Sequence, residues 1–486
     1  MNKIFHAALL LSFTMFTAAT AAGQATADLE KLVNQTRREA GMRHATLSVC
    51  VYNATTGKQI YAHNADLSVT PASVQKLITT GVGFAMLGSE FRFTTKMNVR
   101  GDIDRDGVLH GNIYITGGGD PLLGSYRYRQ TMPDTLFEGW MMALKKKGIR
   151  RVDGRVCYNV NIFDEQSLHD SWQWGDIGNY YAAGVSGLNF HENMYFVYFN
   201  AGKKLGYPAT VVRTMPKNID IHGVSEVTTA GENTGDQVIV YGSPTSKERM
   251  YRGTVPLGKN DFAVRAAMPS PAKTCADLFS SYLRTHGMGV SSNTMQVYTV
   301  PDSLRSVLDY RSTSYYTIAQ YTNLTSNNIY AESIFKYIGY YKYGLGSFKN
   351  GAKAVEDWFK SRGLNTEGVR IIDGSGLSRL NLTTADFMCR YLSALSRESF
   401  FDEFLQTIAK AGENGTAKNL LPGLPAGITV HVKTGTMDGV KSYAGYVITP
   451  HGQTLAFAIV SNGHDGSSHD VSGKLNNILY EIATLY

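Results

Sequence analysis

Cysteine is scarce. Cys50, Cys157, Cys275 and Cys389 are the only four in 486 residues, and no two stand in a C-x-x-C pair. The ligand spacing of a structural zinc site is therefore missing. The 12 histidines are dispersed and include no H-E-x-x-H, which removes the helical zinc-hydrolase pattern. Scattered cysteines in apolar surroundings read as small core residues, and their spacing assigns no disulfide. No Gly-Lys-Ser/Thr follows the glycines Gly117, Gly118 and Gly119, so that run is a tight turn after a strand and not a phosphate loop. No RNA- or DNA-binding motif is present, and a formal charge of +7 is common among proteins that bind nothing acidic. No internal repeat is found.

Long apolar runs are also lacking, with one exception. Lys3 precedes a short apolar stretch over residues 4–16, and the small-residue triplets Ala19-Thr20-Ala21 and Ala25-Thr26-Ala27 follow. This is the layout of a secretory signal peptide, placed at residues 1–27, and it is too short for a membrane span. The mature chain is thus expected to be exported and soluble, without a transmembrane segment. At 43% hydrophobic and 18% charged residues the chain is globular. Its length exceeds one compact core, and two or three domains follow.

Residues 45–53 and 58–62 alternate like strands around a polar turn at 54–57, a hairpin. Thr70 then reads as an N-cap and Pro71 as the first residue of a helix carrying Leu77, Ile78, Val82 and Leu87. From about residue 93 to 264 the texture is rich in strands and loops, with one helix over 135–147. A helix opens at Ser270-Pro271, others are expected over 328–340, 351–362 and 384–395, and strands over 429–433, 442–449 and 455–461. A closing helix over 474–485 carries the apolar stripe Leu475, Ile478, Leu479 and Ile482. Its other face lacks a basic cluster, so the stripe reads as core.

Against this background one local pattern carries chemistry. Ser73-Val74-Gln75-Lys76 is an S-x-x-K. On a helix, residues three apart share a face, so hydroxyl and amine can meet, and the helix start favours developing negative charge. A lysine whose pKa is lowered by burial or by a second cation can take the serine proton. Composition alone yields about two such matches in a chain of this size, and Ser270–Lys273 and Ser333–Lys336 also fit. Ser270 is better explained as an N-cap before Pro271, and Ser333 falls inside a helix. Ser326-Asn327-Asn328 is an S-x-N where a helix begins; alone it reads equally as capping. Ser291-Ser292-Asn293 matches too, but in a turn after Gly289. Lys433-Thr434-Gly435-Thr436 contains the one K-T-G and ends a β-run. There Gly435 clears the strand edge for a substrate lying along it.

The order S-x-x-K, S-x-N, K-T-G, each in fitting local structure, is far more specific than any member. With Tyr114 to Leu122 (Y-I-T-G-G-G-D-P-L), Trp172 to Asp176 (W-Q-W-G-D), Asp373 to Arg379 (D-G-S-G-L-S-R) and Met437 after Thr436, the chain resembles the class C low-molecular-mass penicillin-binding proteins. These are D-alanyl-D-alanine carboxypeptidases and endopeptidases, and the resemblance covers nearly all of the mature chain. One departure is Asn327, where aspartate is frequent. The resemblance implies an α/β (α+β) fold: a serine β-lactamase/transpeptidase-like domain over residues 28–95 and 266–486. A large β-rich insertion over 96–265 forms the accessory part. It implies Ser73 as nucleophile, Lys76 as base, Ser326 as proton relay, Asn328 for positioning the peptide, and Lys433 with Thr434 for the substrate carboxylate. Gly435 lies along the bound peptide, and the N–H groups of Ser73 and Thr436 form the oxyanion hole. Asp176, Tyr181 and Met437 are assigned to the substrate side chain. No metal and no cofactor are implied. The implied partners are periplasmic peptidoglycan peptides, with β-lactam antibiotics as covalent inhibitors. A β-lactamase and a catalytically silent penicillin-binding sensor are the rival readings; the insertion argues against the first and the full set of side chains against the second.

Of the three S-x-x-K serines, only Ser73 is expected to be acylated. Ser73→Ala should abolish covalent labelling by a fluorescent penicillin while the protein stays folded. Peptide mapping that placed the drug on Ser270 or Ser333 would overturn the assignment.

Overall fold

Strand alternation and helical stripes resolve here into two apolar faces of a single antiparallel sheet. The computed structural model describes residues 24–217 and 219–485. Most of the expected signal segment therefore lies outside the described residues. The triplet Ala25-Thr26-Ala27 falls in a helix over 24–36, whose Leu29 and Val33 are buried.

The sheet has five strands in the order Thr429–Met437, Val440–Ile448, Thr454–Asn462, Thr46–Asn53, Gln59–His63. The expected hairpin is its far end: Thr46–Asn53 and Gln59–His63 pair antiparallel. Period-two alternation divides the strand residues. Val49, Val51 and Ile459 face the helix 24–36 and the closing helix Ser468–Ala483, whose Leu475, Ile478, Leu479 and Ile482 all join that core. Cys50, Tyr52, Tyr446 and Ala458 face the opposite helices, among them Gln75–Leu87, Asn328–Tyr343 and Ala385–Leu395. The K-T-G strand is the edge of the sheet and runs on to Met437, so the motif lies within the strand and not at its end.

Two helix starts differ from the sequence reading. Thr70 does not cap: its hydroxyl donates to the carbonyl of Arg379 at 3.3 Å. The chain instead makes a 3₁₀ turn, Ala72–Val74, before the α-helix Gln75–Leu87, with Ala72 in the left-handed region at φ 49°. Ser270 precedes the helix Pro271–Thr285 without a side-chain capping bond. A helix over Tyr315–Thr325, unmarked in the sequence reading because its stripe is tyrosine and threonine, leads directly into the S-x-N.

Accessory structure is built on a six-stranded sheet ordered Met295–Gln296, Val156–Asn159, Val108–Thr116, Thr94–Ile103, Arg305–Arg311, with Arg151–Val152 also on Val108–Thr116. Helices Pro133–Lys146 and Pro271–Thr285 cover it. Smaller sheets from residues 194–267 form a further core around Tyr195, Val240 and Tyr251. The stretch 271–311, assigned above to the catalytic part, thus packs on or joins the six-stranded sheet: Met295–Gln296 pairs with Val156–Asn159 and Arg305–Arg311 with Thr94–Ile103. Phe93 and Ser312 close the two crossings, Phe93 N donating to Ser312 Oγ and Ser312 N to Phe93 O, both at 2.9 Å. We therefore propose that the insertion runs from about residue 94 to 311.

All four cysteines are buried and unpaired. Cys389 Sγ donates to the carbonyl of Cys50 at 3.3 Å, and burial pushes its thiol well up. A thiol reagent should titrate none of the four in the native protein and all four in denaturant. A disulfide found by mass under non-reducing conditions would contradict this packing.

Candidate active site

The turn that carries Ser73 is held between two parts of the chain. On one side is the K-T-G strand. A side chain at Gly435 would place its Cβ 2.2 Å from Ser442 Oγ, 2.9 Å from Ser73 N and 3.0 Å from Pro71 O. Glycine is thus required there because the serine turn lies against the strand, a different reason from the substrate clearance expected above. On the other side is the loop Asp373 to Arg379, where a Cβ on Gly376 would meet Ala72 O at 2.0 Å.

Lys76 lies on the same helical face as Ser73 and is wholly buried. Its Nζ is 2.9 Å from Ser73 Oγ, 2.7 Å from Asn328 Oδ1 and 2.7 Å from Ser375 O. Burial brings its amine down to about 7, against the upward pull of Glu332 and Asp373. Lys433, also fully buried, donates to Ser326 Oγ at 2.9 Å and to Thr434 O at 2.7 Å. Burial, and then the neighbouring Lys76 ammonium, hold its amine well below the ordinary lysine range.

The S-x-N divides its work. Asn327 is the helix N-cap, its side chain accepting from Tyr330 N at 3.2 Å. Ser326 sits at φ 56° between two helices. That sharp reversal turns Ser326 toward Lys433 and leaves Asn328 facing Lys76. Asn328 Nδ2 donates to Tyr181 O at 2.6 Å, which fixes its oxygen toward the lysine.

These groups open onto a cleft of about 390 Å³ lined by Ser73, Asp176, Tyr181, Ser326, Asn328, Thr436 and Met437, together with Gln173, Gly376, Leu377, Arg379 and Asp438. Lys76 and Lys433 lie behind it. Tyr181 OH donates to Asp176 Oδ1 at 2.9 Å. Thr434 is turned toward Thr416, 2.9 Å between hydroxyls, and is not part of the lining. Trp172 is buried and donates to Asp373 Oδ2 at 2.9 Å, whereas Trp174 is exposed against Tyr241. Arg379, quoted above only within D-G-S-G-L-S-R, puts a guanidinium in the cleft, with Nη1 on Asp438 O at 3.0 Å. The rival serines are elsewhere. Lys336 is paired with Asp164 at 2.7 Å and Lys273 with Asp277 at 2.6 Å. Asn293 N turns back to Ser291 Oγ. Among the described residues no group of three or more His, Cys, Asp or Glu could hold a metal ion.

Comparison with known proteins bears on this geometry. The sequence profile of the D-Ala-D-Ala carboxypeptidase 3 (S13) family matches residues 26–479. A D-alanyl-D-alanine carboxypeptidase of Actinomadura sp. (strain R39) is 28% identical over 469 residues, 92% of this chain and 83% of that protein. Penicillin binding protein 4 (dacB) of Haemophilus influenzae shares the fold, with a TM-score of 0.78 at 23% identity, over 95% of this chain and 98% of that one. A structure of the same protein complexed with a β-lactam gives 0.75 at 22% identity, over 93% and 98%.

The Gly435 contact is directly testable. Gly435→Ala should lower the rate of penicillin acylation by at least about 100-fold, because the added methyl meets Ser442 Oγ, itself bonded to Pro71 O, and the backbone atoms Ser73 N and Pro71 O, which cannot swing aside. An acylation rate within about threefold of the parent protein would mean the serine turn does not depend on that contact.

Proposed function

The chain belongs to the D-Ala-D-Ala carboxypeptidase 3 (S13) family, a family of serine peptidases, and on that premise we propose that Ser73, Lys76, Ser326, Asn328 and Lys433 carry out its chemistry on the stem peptides of peptidoglycan. The observation that supports this most is the set of partners around Lys76. A neutral amine has two N–H bonds and one lone pair. Asn328 Oδ1 and Ser375 O are acceptors only, each 2.7 Å from Nζ, and they occupy both hydrogens. The lone pair is left for the third neighbour, the Ser73 hydroxyl at 2.9 Å, which must then be the donor. With the amine at about 7, a large share of the enzyme is in this state at neutral pH.

Ser73 Oγ adds to the carbonyl carbon of the penultimate D-Ala and its proton passes to Lys76. Negative charge forms on the carbonyl oxygen within reach of Ser73 N and Thr436 N. The C–N bond breaks as a proton reaches the departing D-Ala through Ser326, which Lys433 holds. Water then attacks the Ser73 ester, with Lys76 again taking a proton, and releases the shortened peptide. A β-lactam enters by the same first step, but its leaving amine stays tethered and the ester persists. Substrate in the cell wall requires export, which the N-terminal segment 1–27 suits. No helix among the described residues is long and apolar enough to cross a membrane.

Asp176 and Arg379 line one cleft with opposite charges, suited to a stem-peptide side chain that ends in an amine and a carboxylate. Asp176→Asn should weaken turnover of an amine-bearing peptide by roughly 1–3 kcal/mol, the range for a lost charge-assisted hydrogen bond. It should leave a matched peptide without the amine, and penicillin acylation, nearly unchanged. Equal loss on both peptides would mean that Asp176 supports the fold of the Tyr181 turn and does not read the substrate.

A further inference from the structure

We propose that Glu332 is a positioning residue for this reaction: by gripping the loop at Gly374 and Ser375 it holds the carbonyl that aims the Lys76 amine at Ser73. The proposal rests on Lys76 being the base.

Glu332 stands four residues after Asn328 on the helix Asn328–Tyr343, hence on the same face. It is fully buried. Its Oε2 accepts from Gly374 N at 2.9 Å and its Oε1 from Ser375 N at 2.8 Å. Glu332 thereby fixes the Asp373–Gly374 and Gly374–Ser375 peptide groups, the two that lead into the Ser375 carbonyl. The Gly374–Ser375 peptide gives its N–H to Glu332 and its carbonyl to Thr79 Oγ1, which donates at 2.6 Å. The Ser375–Gly376 peptide gives its N–H to Asp373 Oδ1 at 2.8 Å and its carbonyl to Lys76 Nζ at 2.7 Å. Thr79 lies three residues beyond Lys76, so the loop and the serine helix are joined at both points. Only a carboxylate offers two acceptors to two adjacent N–H groups; a glutamine offers one, and its NH₂ faces the other amide donor to donor.

The charge has a second effect. The charged groups facing Glu332 are Lys76 on the serine helix, Asp373 on the loop and Lys336 on its own helix, which is paired with Asp164; Lys433 lies beside Lys76. Burial, and then Asp373, push the Glu332 carboxyl up to about 8 while the Gly374 and Ser375 N–H groups pull it down, so it and Lys76 titrate together over the acid limb, and its ionised form favours the Lys76 ammonium. Removing the carboxylate therefore moves Lys76 further down, a consequence that mere scaffolding does not share.

The test is the second-order rate of penicillin acylation measured from pH 5 to 9.5. In the parent protein it should rise as pH passes through about 7, and Lys76→Arg should abolish it; persistence in Lys76→Arg would defeat the base assignment itself, independently of Glu332. In Glu332→Gln the plateau should fall at least about tenfold and the acid limb should move to lower pH by roughly one unit. Thr79→Val, which loosens the same loop without changing charge, should lower the plateau about fivefold with the acid limb unmoved. A Glu332→Gln protein with an unmoved limb, or with parent-like rates, overturns the proposal. If that variant does not fold, Thr79→Val decides: a lowered plateau on the parent limb supports the loop's role, and an unchanged rate overturns it.

Discussion

A fully buried amine is the constraint on which the rest of the site depends. Lys76 is enclosed on a helix whose other neighbours are Leu77, Ile78 and Val82, all without exposure. In that setting the charged form is costly, and the neutral form must still satisfy two N–H bonds. The fold supplies two fixed acceptors, one from the S-x-N helix and one from a loop carbonyl. What remains of the nitrogen's valence faces Ser73. A second buried amine, Lys433, lies close by, and burial and then the Lys76 charge hold it well below the ordinary lysine range.

Placement of the serine follows from packing on both sides. The K-T-G strand is an edge strand whose outer side is covered by residues 409–411 as far as Val432, which leaves the K-T-G stretch beyond it for an extended peptide, as strand-edge recognition requires. Behind it, Ser442 Oγ donates to Pro71 O at 2.6 Å and ties the second strand of the sheet to the turn before Ser73. Ala72 takes up the left-handed backbone that this junction imposes. Tyr181 links the accessory part to the chemistry twice, by its carbonyl to Asn328 and by its hydroxyl to Asp176. Asn328 and Asp176 are therefore tied to the same residue.

That Ser73, both lysines and the S-x-N meet at one site was readable because their spacing is local. Three residues along a helix turn, or one β-run carrying Lys-Thr-Gly, can be placed without knowing the rest of the fold. The hairpin and the closing stripe were readable through their periods of two and 3.6. Other features had no such signature. The acceptor on Lys76 is the backbone of Ser375, which no side-chain identity announces. Glu332 lies in the run Ile329 to Phe335 and gives no sign that it faces inward. Gly435 was assigned to substrate clearance, while the atoms that exclude a side chain belong to Ser73, Pro71 and Ser442, far away in sequence. Arg305–Arg311 was read with the catalytic part, because its strand partner Thr94–Ile103 lies some two hundred residues upstream and nothing local announces the pairing.

The central claim is that Lys76 is largely neutral at physiological pH in the free enzyme. The most direct measurement is a heteronuclear NMR titration of lysine side chains labelled with ¹³C and ¹⁵N, with the Lys76 signal assigned by its loss in Lys76→Arg. The account predicts that this one signal titrates near pH 7 while exposed lysines stay charged to about 10. A Lys76 signal that keeps the chemical shift of an ammonium up to pH 9 would contradict it.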